Sequence, residues 1–163
     1  MYKKIMVPLD GSELAECVLP QVETFIKGCQ VSTLVFVRVI ESTTLTYRGA
    51  YVTSKEDLEK IETNAKKVEE ERKSSAVEYL KGVVTRFKQD GVKYQTEVLS
   101  GKVAESLVDY VEANGVDLII IATHGRSGVS RWVRGSIADR VLRASRVPVL
   151  MVRAPGTMNE NRV

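Results

Sequence analysis

A chain of 163 residues is one domain's worth of sequence, long enough to bury a core without disulfides or a structural metal. Hydrophobic residues at 44% and charged residues at 28% are ordinary for a globular protein, and a net charge of +3 implies no polyanionic partner on global charge alone. No stretch approaches the ~20 apolar residues of a membrane span, the start MYKKIMVPLD turns polar too soon for a signal peptide, and Cys17 and Cys29 fit neither a metal-ligand spacing nor a disulfide framework; a cytoplasmic protein with no membrane partner is expected.

In chain order, Lys3 to Leu9 reads as a first strand, with Pro8 at its end where a missing N–H costs little. Asp10-Gly11-Ser12 turns the chain into a helix over Glu13 to Lys27, whose apolar positions Leu14, Cys17, Val18, Val22, Phe25 and Ile26 recur at helical spacing. Both cysteines fall in or beside that stripe and are expected in the core. Val31 to Ile40 is a second strand, and Glu41 to Thr53 a loop. Ser54 and Asp57 form a capping box ahead of the longest pattern, about Glu56 to Gln89. Leu58, Ile61, Ala65, Val68, Ala76, Leu80, Val83 and Phe87 make one stripe, interrupted by Arg72. A helix of that length would run roughly 50 Å, more than a small sheet covers, so its charged first half is expected to project, bend or fray. Val92 to Leu99 alternates as a strand, Ser100-Gly101 turns, and Lys102 to Asn114 is a short helix ended at Gly115.

The stretch from Asp117 to Arg153 carries the chemistry. Leu118 to Ala122 is an apolar run too short for a helix and rich in β-branched residues, which is how a strand buried on both faces reads. It empties into a loop bounded by Gly125 and Gly135. A helix follows, for which Ser136 is the cap and Asp139 the distal half of a capping box. Val147 to Val152 is a fifth strand. Residues 1–155 are read as the domain, and 156–163 as a loose tail. Alternating strands and helices call for an α/β fold, an open five-stranded parallel sheet with helices on both faces. A strand, a glycine-bounded loop and a capped helix form a phosphate-site layout, because the first helical turn offers free N–H groups and a partial positive charge.

Ala122, two residues, Gly125, nine residues, Gly135 and Ser136 closely resemble the signature of the universal stress protein family in its ATP-binding branch. In that signature a glycine stands where this chain has Ala122. The segment KKIMVPLDGSE resembles the family's opening strand and acidic turn, so the likeness spans both ends of the chain. The resemblance implies a Rossmann-like sheet of order 3-2-1-4-5, which reverses direction between strands one and four. Ligands settle at the carboxyl ends of strands flanking such a reversal, and this faces Pro8, Leu9 and Asp10 toward the loop from Ala122 to Ser136. It further implies ATP, with Mg or Mn carried by its phosphates, in a stress-response regulator. Asp10 would meet the ribose, the Val39 main chain the adenine, and Gly125, Arg126, Gly135, Ser136 and Ile137 the phosphates. It also implies a homodimer through strand five, 147–153.

Each assignment has a plainer rival. Asp10 is equally suited to cap the first helix, Val39 to fill the core, and Ser136 to cap alone. Seven arginines between His124 and Arg153 against one carboxylate, Asp139, suggest a positive local field. Trp132 reads as an apolar anchor, and a lone His124 lacks partners for base catalysis. No GxxxxGK[ST] motif occurs, and no GxGxxG follows the first strand. Nor does an aromatic-plus-basic platform point to nucleic acid. Binding rather than catalysis is expected. The rivals are slow ATP hydrolysis or autophosphorylation, and a ligand-free dimeric interaction module.

Overall fold

The computed structural model describes residues 2–41, 55–87, 91–123 and 137–154, with the backbone alone at 55–58. In chain order the elements are β1 (Lys4–Pro8), α1 (Glu13–Glu16), α2 (Leu19–Gly28), β2 (Thr33–Ile40), α3 (Lys55–Val84), β3 (Lys93–Ser100), α4 (Val103–Asn114), β4 (Leu118–Thr123), α5 (Ile137–Ala144) and β5 (Val149–Arg153). The five strands form one parallel sheet in the order β3-β2-β1-β4-β5. The expected α/β architecture and its reversal between β1 and β4 are therefore present.

Period-two alternation divides the sheet into two cores. Ile5, Val7, Leu34, Phe36, Leu118 and Ile120 face one way, onto Val18, Val22 and Ile26 of the first helical region and onto Leu80 and Val83 of α3. Met6, Val35, Val37, Ile119 and Ile121 face the other way, onto Ala104, Leu107 and Val111 of α4 and onto Ala138 and Val141 of α5. Strands covered on both faces must be apolar at successive positions, and β4 is buried from Leu118 through Ile121. Asp117 ties its start to β1: one carboxylate oxygen accepts the Lys3 and Lys4 amides at 2.9 and 2.8 Å.

Two expectations need correction. The helix read as continuous from Glu13 to Lys27 breaks at Cys17 and Val18 into α1 and α2. Pro20 explains the break, since it has no N–H for the Glu16 carbonyl and its ring would collide there. Asp10 does not cap α1. Ser12 does, its Oγ accepting the Ala15 amide at 3.1 Å. The long pattern is helical without interruption for 30 residues, and its buried positions, Ala76, Leu80 and Val83, lie in the second half. The first half projects beyond the core. Cys17 and Cys29 are half-buried, unpaired and packed against the first core. The loop 42–54 with the Ser54 cap, the residues from His124 to Ser136 and the tail lie outside the described residues.

Candidate functional site

At the carboxyl ends of β1 and β4, where the sheet order reverses, the structure opens a cavity of about 370 Å³. Six of the residues singled out from the sequence meet there: Pro8, Leu9 and Asp10 after β1, Val39 of β2, Ala122 of β4 and Ile137 at the start of α5. Gly125, Arg126, Gly135 and Ser136 lie outside the described residues. The cavity exists because neighbouring strands end at different heights while α4 and α5 cover the same face. Val37, Val39, Val103, Leu107 and Ile121 supply apolar walls, and Thr123 and Ser12 add hydroxyls that the sequence reading did not single out. Alternation along β2 puts Val37 and Val39 on one face, a signal that could have found the first from the second.

Asp10 is the charged group of this lining. Its Oδ1 accepts the Ser12 amide at 2.8 Å and the Ser12 hydroxyl at 2.6 Å. The intervening Gly11 has φ +91°, a backbone state that side-chain-bearing residues rarely adopt. Partial burial pushes the carboxyl upward. The Ser12 hydroxyl and amide, the backbone of Asp10 itself and the Arg38 guanidinium more than offset this, leaving Asp10 below the ordinary carboxylate value. It is therefore an anion near neutral pH. Leu9 continues the sheet beyond β1, its amide donating to the Val37 carbonyl at 2.8 Å. The acidic turn is thus registered to β2.

The arginine-rich end is less available to a ligand than its charge count suggested. Arg140 donates to Glu105 at 2.6 Å, Arg143 to Asp139 at 2.9 Å, and Arg146 lies 3.5 Å from Glu112. These pairs are solvent-exposed, on α4, α5 and the turn after α5, and add little to stability. Any positive field over the cavity must come from elsewhere. Among the described residues no group of three or more His, Cys, Asp and Glu side chains is arranged to hold a metal. The donors present fit a nucleoside: apolar walls for a flat base and an ionised carboxylate for sugar hydroxyls.

A profile of the universal stress protein family matches residues 1–153. The universal stress protein MJ0531 of Methanocaldococcus jannaschii is 31% identical over 157 residues, covering 95% of this chain and 84% of the relative. The solved structure of protein MJ0577 from the same organism superposes with a TM-score of 0.75 at 25% identity, over 96% of this chain and 99% of the other. A universal stress protein family member from Arabidopsis thaliana, solved with AMP bound, shares the fold at 13% identity and a TM-score of 0.56, over 94% and 92% of the two chains. The sheet order, the cavity at its reversal and a profile match running from the first residue to the end of β5 agree, and the chain belongs to the universal stress protein family.

Proposed function

We propose that this chain is a regulatory stress-response protein that binds ATP in the cavity at the β1–β4 reversal. The observation that carries the reading is the pairing of an apolar cavity of about 370 Å³ with the ionised carboxylate of Asp10 on its lining. That volume lies within the range of about 300–1,000 Å³ usual for small-molecule sites. The base packs against Val37 and Val39 and hydrogen-bonds to the Val39 main chain, while Asp10 accepts from the ribose. Phosphates extend toward the glycine-bounded segment from Ala122 to Ser136, with a Mg or Mn ion held mainly by the phosphates. The Arabidopsis relative with AMP bound supports an adenine nucleotide as the ligand class. The chemistry assigned is binding, not turnover, and two unpaired thiols, Cys17 and Cys29, suit the reducing cytoplasm. The protein acts as a homodimer joined through β5.

Calorimetric titration of nucleotide-free protein with Mg-ATP tests this. The wild type should release or absorb heat saturably and gain thermal stability with ATP. Gly135→Val should abolish both effects, because on this reading the phosphates approach the main chain at position 135 and a β-branched side chain would fill that space. Ser136→Ala should weaken binding by about 1.5–3 kcal/mol, one hydrogen bond to a charged group. If wild type and Gly135→Val alike show no heat and no thermal protection, the ATP reading fails. The dimeric interaction module then replaces it.

A further inference from the structure

We propose that Arg38 is a positioning residue that braces the Asp10–Gly11–Ser12 turn from the opposite face of the sheet and sets the protein's selectivity for ribose hydroxyls, an inference that rests on the nucleotide reading above. Asp10 stands at the carboxyl edge of the sheet and borders two hollows. One is the apolar cavity; the other is a charged groove of about 610 Å³ between the end of β2 and the middle of α3. Successive residues of β2 point to opposite faces. Arg38 accordingly lines the groove and not the cavity, whereas Val39 lines the cavity and also borders the groove.

There the guanidinium is held in place. Its Cζ and both terminal nitrogens lie 3.2 Å from where a Cβ on Gly11 would be, so the group lies flat against the turn that carries Asp10. Its Cζ also lies 5.3 Å from the centroid of the Tyr79 ring on α3, within cation–π range. Tyr79 is itself fixed, its hydroxyl donating to Glu16 Oε1 at 3.0 Å, and the other oxygen of Glu16 accepts from Arg86. Burial and the Glu16 carboxylate push the Tyr79 phenol well above its ordinary value, so it stays a neutral donor. The Arg38 guanidinium of β2 is thus held between the Gly11 turn and Tyr79 of α3, which Glu16 of α1 fixes in turn. Glycine suits position 11 for its φ, and a Cβ there would have to push the guanidinium back by a few tenths of an ångström.

The consequence is selectivity rather than bulk affinity. Asp10 can accept from a sugar only if its carboxylate is ionised and its turn stays in one conformation. Ser12 engages Oδ1, and Arg38 steadies the turn from behind without occupying the cavity. A lysine keeps the charge but lacks the planar group that lies on Gly11 and covers Tyr79.

The test uses the full chain, freed of nucleotide, as wild type, Arg38→Gln, Arg38→Lys and Asp10→Asn. Calorimetry compares ATP with its two monodeoxy forms, each lacking one ribose hydroxyl. The wild type should favour ATP over one of them by roughly tenfold or more, the worth of a hydrogen bond to a charged group. Asp10→Asn and Arg38→Gln should both collapse that ratio toward one while binding of the deoxy form changes little. Arg38→Lys should restore it in part. A carboxyl-carbon NMR titration of Asp10 is read without any nucleotide. Among the described residues, the groups around Asp10 are Ser12 on its own turn, Arg38 of β2, Glu41 just past it, and Glu71, Arg72 and Tyr79 on α3. Arg38→Gln should move the Asp10 midpoint upward, and Arg38→Lys should move it less. If Arg38→Gln keeps the wild-type ratio while Asp10→Asn loses it, the selectivity role is overturned. A wild type that binds no nucleotide overturns it too. In that event a raised Asp10 midpoint in Arg38→Gln shows that the brace exists and the nucleotide reading is what failed.

Discussion

Two opposed effects meet at Asp10, and their balance decides what the site offers. Burial alone would favour the neutral acid, but the Ser12 hydroxyl and amide and the Arg38 guanidinium favour the anion and prevail. A carboxyl held below its unfolded value contributes stability that is present above the unfolded pKa and lost as pH falls through the folded one. The nucleotide-free protein should therefore lose part of its stability as pH drops through about 4 and below, the ordinary Asp range being near 3.9. Asp10→Asn should flatten that part of the profile, read as thermal midpoint against pH. An unchanged acid limb would show that Asp10 carries no such linkage. Gly11→Ala should destabilise by about 1–2 kcal/mol from its left-handed backbone alone, with added crowding of the guanidinium 3.2 Å away; chemical denaturation measures it. Asp10 was legible in the sequence because an acidic turn after a first strand is a local pattern. Arg38 was not, because its role depends on what stands across the sheet edge, and a lone arginine in an apolar strand carries no local sign of that.

α3 shows that an apolar stripe can outrun the surface it packs on, as its length in the sequence implied. Thirty helical residues run about 45 Å at 1.5 Å each, whereas the eight-residue strands beside it span about 26 Å. The apolar stripe continues along the whole helix, yet among the described side chains only Ala76, Leu80 and Val83 become buried within it. Periodicity records which residues share a face; it does not record where the opposing sheet stops. Amide exchange should follow burial. Residues 59–72 should exchange much faster than residues 76–83, and uniform protection along the helix would instead mean that a partner covers the first half. Leu80→Ala, at a fully buried position, should cost about 2–5 kcal/mol in chemical denaturation. The break between α1 and α2 was legible in Pro20, but the apolar spacing continues through it and favoured a single helix. Backbone hydrogen bonding overrode the side-chain pattern.

Across the whole molecule, the sheet order followed from family likeness and not from strand composition, since β1, β2 and β4 are all apolar and any could be central. The order leaves two edges of different character. β3 presents Lys93, Gln95 and Glu97, the charged and polar side chains that discourage further pairing. β5 presents Val149, Leu150, Met151 and Val152, each half-buried although a neighbour covers only one edge of the strand. Ile119 donates to the Pro148 carbonyl and Ala154 to the Thr123 carbonyl, so the even-numbered residues turn their backbone groups inward to β4. In a parallel strand this leaves the amides and carbonyls of Val149, Met151 and Arg153 directed outward. An apolar edge whose outward backbone groups have no partner among the described residues invites a second copy, and two-fold pairing of β5 with its mate would satisfy them in the closed dimer proposed above. Sedimentation at micromolar concentration should show that dimer. Val149→Lys should shift it to monomer, because pairing β5 with its mate would strip water from an ammonium set on an otherwise apolar edge. Circular dichroism and thermal unfolding must show that the variant still folds, since Val149 also packs against the second core. A folded Val149→Lys variant that stays dimeric would exclude β5 as the joining edge, and a wild-type monomer would exclude the dimer itself.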